Sequence, residues 1–202
     1  MTTRQRFEGA IAGVGTTSGV RVVVGRWSDT PLGPFGDAMV QRADGHRVLI
    51  APHQEAAGFI AATYTFDEVR IEPVAVASTP DGWSLRSASL TLDLVVGRRS
   101  PLGRLLGLLP RAVSTAPWFC AVTDPVARVV MRGVRTRGTA GRGRREWYGA
   151  TDHHVVESVT GSFDGLDLGS LHDVLPAPTF GFSSTPPRPS VTAVVTTVET
   201  SA

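Results

Sequence analysis

The chemistry open to this chain is bounded first by a residue that it lacks. No lysine occurs among its 202 residues, and all 20 basic residues are arginine. Arginine is never deprotonated in a protein and cannot act as an amine nucleophile. Imine-based decarboxylation and aldol chemistry, pyridoxal phosphate anchoring and the phosphate-loop lysine are therefore excluded. A GC-rich genome produces the same arginine bias, but the exclusion holds whatever its origin.

Other chemical groups are sparse. The one thiol, Cys120, lies in Pro117-Trp-Phe-Cys-Ala-Val122, apolar company that raises a thiol's pKa and blunts it. A lone cysteine permits neither an internal disulfide nor a cysteine-built metal site. There is no Gly-x-Ser-x-Gly nucleophile motif. The five histidines lack metal-binding spacing, so neither a metal nor a cofactor is expected. His153 and His154 are adjacent, and on a strand they face opposite ways. Simple alternation puts His154 with Tyr148 and Asp152, and His153 with Trp147 and Thr151. One of the two is a candidate cavity liner, set against the commoner case of a structurally satisfied histidine. Gly13-Val-Gly-Thr-Thr-Ser-Gly19 has the composition of a phosphate loop, but a strand follows it where that chemistry needs a helix N-terminus. It reads as a turn.

These groups must be positioned by a chain that is 42% hydrophobic and 19% charged, a globular balance with enough length for a core. No leader pattern and no apolar run of membrane-spanning length stand out, so a cytoplasmic protein with no membrane partner is the expectation. Charge is uneven. Between 98 and 145 lie eleven arginines and a single acid, Asp124, while the rest of the chain is acidic. Three readings of that segment stay open: a solvated edge facing acids of the same or another subunit, an anion-binding cavity, and a nucleic-acid surface. The first is favoured, because Arg128 and Arg132 differ in parity from Arg135 and Arg137 on the expected strand.

Strand signals dominate. Residues 21–27, 47–50, 69–77, 83–96, 127–137, 145–160 and 191–198 are rich in β-branched and aromatic residues and are broken by glycine, proline and aspartate. Asp44-Gly45 and Asp81-Gly82 are hairpin signals. Helical signals are thin. Ser100-Pro101 opens a capped segment that stops at Pro110, and 52–62 has room for a turn or two. A single β-rich domain over 1–202, an antiparallel closed barrel or sandwich with a few short helices, is the expectation.

Gly25-Arg-Trp-Ser-Asp-Thr-Pro-Leu-Gly-Pro-Phe-Gly-Asp37 resembles the acetoacetate decarboxylase-like superfamily, as do Phe59 to Val69 and the segment Leu175-Pro-Ala-Pro-Thr-Phe-Gly-Phe182. The resemblance implies a cone-shaped antiparallel β-barrel around a small apolar pocket, commonly in an oligomer. It places Asp37 at the family's pocket glutamate. It places the family's Schiff-base lysine around Phe66-Asp67, where none is found. Arg26, Asp37, Tyr64, Phe66, Asp67 and His154 become the candidate ligand-binding residues, with Asp37 the candidate catalytic one and Arg26 a clamp for a ligand carboxylate or a partner of Asp29 or Asp37. The leading expectation is a soluble protein binding a small carboxylate or a hydrophobic metabolite, possessing no Schiff-base activity. The alternative is a lysine-independent lyase, hydratase or hydrolase using Asp37 with Tyr64 or Asp67. A buried Asp37 with a raised pKa favours the enzyme, and a wholly apolar cavity favours binding. The weakest alternative is an interaction protein using the arginine-rich face.

Overall fold

Residues 2–130, 134–140 and 144–201 are described by a computed structural model. With 52% of residues in strands and 14% in helices, the protein is mainly β, as expected. The strands of the first half are β1 (Thr2–Thr16), β2 (Arg21–Asp29), β3 (Phe35–Gln41), β4 (Arg47–Ala51), β5 (Glu68–Ile71), β6 (Ala75–Thr79), β7 (Gly82–Arg86) and β8 (Leu90–Arg99). The short helix α1 (Gln54–Ala61) separates β4 from β5. Helices α2 (Pro101–Leu106), α3 (Arg111–Ser114) and α4 (Pro117–Val130) follow. The chain then returns to strands as β9 (Arg137–Ala140), β10 (Arg144–Phe163), β11 (Leu166–Asp167), β12 (Leu171–His172) and β13 (Ser190–Ser201).

The main path of the sheet runs β5-β4-β3-β2-β1-β13-β10-β8-β7-β6 and curls into a half-barrel. Its pairings are antiparallel except for β4 with β5. The curl brings the first strands over the last, so Val22, Val24, Val40 and Ile50 meet Leu85, Leu92, Leu94 and Phe163 in one buried core. Side chains alternate along each strand. The opposite face of β1–β4, β13 and the first half of β10 is therefore left for a second set of residues. Helix α1 packs there through Ala57 and Ile60 against Leu49 and Ala51.

Several expectations need correction. The run 127–137 is not one strand, because α4 continues through Val130 and β9 begins only at Arg137. Arg132 and Arg142, and the side chain of Arg128, lie outside the described residues. Long-range ties explain the helical outcome: Asp124 Oδ1 accepts from Thr136 N at 2.9 Å, and the Cys120 carbonyl accepts from Thr136 Oγ1 at 2.6 Å. Both bonds need Cys120 and Asp124 one helical turn apart on the same side, and tertiary bonds of this kind override local β-propensity. Residues 69–77 divide into β5 and β6, and 83–96 into the β7–β8 hairpin. Strand β1 is not among the expected runs, since Gly9, Gly13 and Gly15 depress strand propensity, whereas β3 is the strand-like run that the Asp44-Gly45 hairpin signal requires before β4. Gly13 and Gly15 belong to β1 itself, and the glycine-rich segment ends in the turn that leads to β2. No helix among the described residues is long and apolar enough to cross a membrane.

Candidate functional site

The second face of the sheet carries a cavity. Alternate residues point into it: Phe7 and Ile11 from β1, Val23 and Trp27 from β2, Asp37 and Met39 from β3, Glu146 and Tyr148 from β10, Thr196 and Val198 from β13. Phe59 and Ile60 of α1 cover this part, together with Thr63 and Tyr64 just beyond the helix. A second and larger part lies under the loop 178–186 and Leu102 of α2. The two volumes, about 60 and 150 Å³, share Ile11, Val23, Met39, Tyr64 and Tyr148 as walls. They are the inner and outer lobes of one cavity, with the two tyrosines at the junction.

The tyrosines form a chain with a carboxyl. Tyr64 and Tyr148 are in hydroxyl–hydroxyl contact, the Tyr148 hydroxyl lies 2.8 Å from Glu146 Oε2, and the Tyr64 hydroxyl reaches the same oxygen at the longer distance of 3.4 Å. Thr63 Oγ1 donates to Glu146 Oε1 at 3.2 Å, and Arg144 Nη1 donates to Thr63 Oγ1 at 3.3 Å. Burial pushes the Glu146 carboxyl up against the hydrogen bonds that favour its charged form, and burial pushes both phenols well above their ordinary value. Each hydroxyl owns one hydrogen, so the chain has two directions. With Glu146 ionised, Tyr64 donates to Tyr148 and Tyr148 donates to the carboxylate, leaving Tyr64 an acceptor towards the cavity. With Glu146 protonated the chain reverses, and Tyr64 becomes a donor.

Asp37 lies on the same side. It is buried, and its Oδ1 accepts from Trp27 Nε1 at 2.7 Å. Burial raises its pKa from 3.8 to about 6, with the indole N–H pulling the other way. Its charge also reaches Tyr64, whose phenol it pushes further up. The local sequence makes room for this pair. Gly25 faces Asp37 across the β2–β3 ladder, and a Cβ there would lie 2.5 Å from Trp27 Nε1 and closer still to Asp37 Oδ1.

The candidate residues separate on this geometry. Asp37 and Tyr64 both line the inner lobe. Arg26 is exposed on the other face, in an open groove with Glu8, Ser28 and Arg111, so it does not clamp a ligand beside Asp37. Its strand neighbours Gly25 and Trp27 face the cavity, and alternation turns Arg26 away. Phe66 packs on Phe180 with ring centres 5.7 Å apart and belongs to the α1 cluster. Asp67 is exposed, with both carboxylate oxygens on the Arg47 guanidinium at 2.8 and 2.9 Å. That pairing holds its carboxyl well below the usual range and away from the cavity. His154 bonds the Gly97 carbonyl through Nδ1 at 3.1 Å, outside both lobes.

His153 lines the outer lobe in its place. The register of β10 against β13 shifts between Ala150 and Asp152, so one extra residue stands in the strand. A bulge of this kind exchanges the two faces for every residue beyond it. Glu146, Thr63, Trp27 and Tyr148 are site residues that sequence reasoning missed, and of the two adjacent histidines the cavity liner is His153 rather than the candidate His154. Glu146 and Tyr148 did carry a signal, two polar groups two residues apart on an expected strand, but Glu146 was obscured by the arginines beside it.

The arginine-rich segment is partly accounted for. Arg99 makes two bonds to Asp152, at 2.7 and 2.9 Å, and Arg111 pairs with Glu8. Arg144 stacks over Phe59 with its guanidinium carbon 4.8 Å from the ring centre. Arg99 and Arg111 thus face the chain's own acids, Arg144 meets Phe59 and Thr63, and Arg135 lines the outer lobe. Burial lifts the Cys120 thiol to about 11, consistent with an unreactive structural cysteine. No metal-binding group of histidine, cysteine and carboxylate side chains occurs among the described residues. The chain matches no protein-family model, and no curated protein matches it.

Proposed function

We propose that this chain is a single-domain, cytoplasmic small-molecule-binding protein of acetoacetate decarboxylase-like architecture, a closed cone without the family's imine-forming lysine. The ligand is small, largely apolar and oxygen-bearing. The observation that carries the reading is the two-lobed apolar cavity with a Tyr64–Tyr148–Glu146 chain at its waist. Such a cavity, apolar with a few convergent polar groups, is what small-molecule sites share. Among the described residues the inner lobe has two carboxyls and no basic side chain in its walls, which disfavours a ligand carboxylate there. Native mass spectrometry of freshly purified protein, against the same sample denatured, tests the reading. A small molecule released on denaturation supports it, and the same spectrum counts subunits and so tests the homo-oligomer implied by the resemblance. A clean mass that persists after addition of medium-chain ketones and acids overturns it.

A second reading is favoured by Asp37. A buried carboxyl titrating near pH 6, facing a phenol whose proton can be drawn either way, is suited to moving a proton at neutral pH. In that reading Asp37 is the base and Tyr64 the acid of a lysine-independent lyase, hydratase or hydrolase. Exchange of α-hydrogens of heptan-2-one for deuterium in D2O, followed by NMR and lost in Asp37→Asn, would raise it above simple binding. No exchange above the buffer rate would remove it.

A further inference from the structure

Three polar atoms in the walls of the outer lobe are buried without a hydrogen-bond partner among the described residues: His153 Nε2, Ser184 Oγ and Thr185 Oγ1. Leaving such an atom unmatched is costly, and native proteins rarely do so except where water or a ligand supplies the missing partner. His153 is 9% exposed, so bulk solvent does not satisfy it.

The hydrogen bonding assigns the state of the ring. Ser100 Oγ accepts from Gly103 N at 3.0 Å, capping α2, and it lies 2.8 Å from His153 Nδ1. The serine hydrogen finds its acceptor at Nδ1, which places the imidazole proton on Nε2. Burial and the neighbouring His154 depress the ring's pKa, keeping it neutral, with Asp152 opposing them. The Nε2–H thus stands as a donor on the cavity wall with no acceptor among the described residues.

The other two atoms belong to the same neighbourhood. His153 pairs with Thr192, and Thr192 pairs with Ile11 on its other side. Two residues along β1 from Ile11 lies Gly13, where a Cβ would sit 2.6 Å from the Thr185 side chain. The loop thus lays Thr185, with Ser184 before it, over the strand next to that row.

We propose that the outer lobe is an oxygen-recognising subsite, in which His153 Nε2–H and the Ser184 and Thr185 hydroxyls receive a carbonyl or carboxyl oxygen of a ligand whose aliphatic body lies along Ile11, Val23 and Met39 towards Tyr64. This rests on the cavity-binding reading and adds to it the orientation and polar head of the ligand. His153 is a binding residue here, and Ser100 is a positioning residue that fixes its tautomer.

The test uses the full chain labelled with 15N at histidine and three probes of equal length: heptan-2-one, heptanoate and heptane. A long-range 1H–15N spectrum of the free protein is expected to show His153 neutral with the proton on Nε2. The ketone or the acid should shift that Nε2 signal and bind about tenfold tighter than heptane, the usual advantage of satisfying one buried donor. His153→Phe should reduce that advantage severalfold, leaving what the Ser184 and Thr185 hydroxyls supply, and His153→Gln, which retains a donor, should restore part of it. If the ketone and the acid both bind no tighter than heptane and leave Nε2 unmoved, the subsite is overturned while the cavity reading stands. If none of the three binds, both fall. Because the first comparison is made on the unaltered protein, it does not depend on a variant folding. The ketone and acid arms separate a neutral head group from an anionic one.

Discussion

Burial holds Asp37 near pH 6, so its charge changes inside the range where proteins are usually handled. Its folded pKa lies above the ordinary carboxylate value, so the native state holds this proton more tightly than the unfolded chain does. The stability from that preference is fully present below about pH 4 and is lost as pH rises through 6. The shift from 3.8 to about 6 corresponds to about 3 kcal/mol of penalty at pH 8. Asp37→Asn removes the charge and keeps an oxygen for Trp27 Nε1. Urea denaturation should find the variant about 1–3 kcal/mol more stable than the parent at pH 8, with the gap closing by pH 4. A gap independent of pH would show that Asp37 is not the titrating group. Gly25→Ala probes the same pair from the neighbouring strand. Its methyl group displaces the indole or the carboxyl, and a loss of about 3 kcal/mol is expected from overpacking and the broken bond together. Denaturation with Trp fluorescence checks this, and an unchanged midpoint would mean that the ladder yields easily there.

At the scale of elements, the bulge in β10 and the cap of α2 decide which histidine meets the cavity. Ser100 performs two tasks, accepting from Gly103 N at the start of α2 and holding His153 Nδ1 from the facing strand. Ser100→Ala should cost about 2 kcal/mol, the sum of a lost cap and a buried imidazole nitrogen left unmatched. Thermal denaturation reads the cost, and a loss of only a few tenths would mean that the cap is replaceable. The Ser100-Pro101 start of α2 was legible because capping chemistry is local. Helix α4 was not, because it contains Pro125 and a β-branched end, and its neighbours hold it through Cys120 and Asp124.

Across the whole molecule, the curled sheet makes two interiors from one set of strands. One face closes on itself as the aliphatic core, and the other is roofed by α1, α2 and the loop 178–186 to leave the cavity. Neither interior has an amine. Acetoacetate with borohydride should therefore leave no adduct on any peptide of this protein other than the one that carries the α-amine. An imine trapped on an internal peptide would place a reactive amine among side chains that have none.

The sequence by itself determined the β-rich class, the positions of β2, β4 and β13, the hairpin at Asp44-Gly45 and the absence of lysine chemistry. Those follow from composition, alternation and turn residues, which act over a few positions and need no partner. Gly45, with φ of 94°, occupies the backbone region that the turn demands. The tertiary structure alone decided which polar groups meet. Arg26 and Asp37 are close in sequence and lie on opposite faces, whereas Tyr64 and Glu146 are far apart and share a hydroxyl–carboxylate chain. Side-chain direction on a strand depends on register, and one inserted residue reverses it. That is why His153 rather than His154 faces the cavity, and why the bulge between Ala150 and Asp152 could be seen only once β10 was paired with β13.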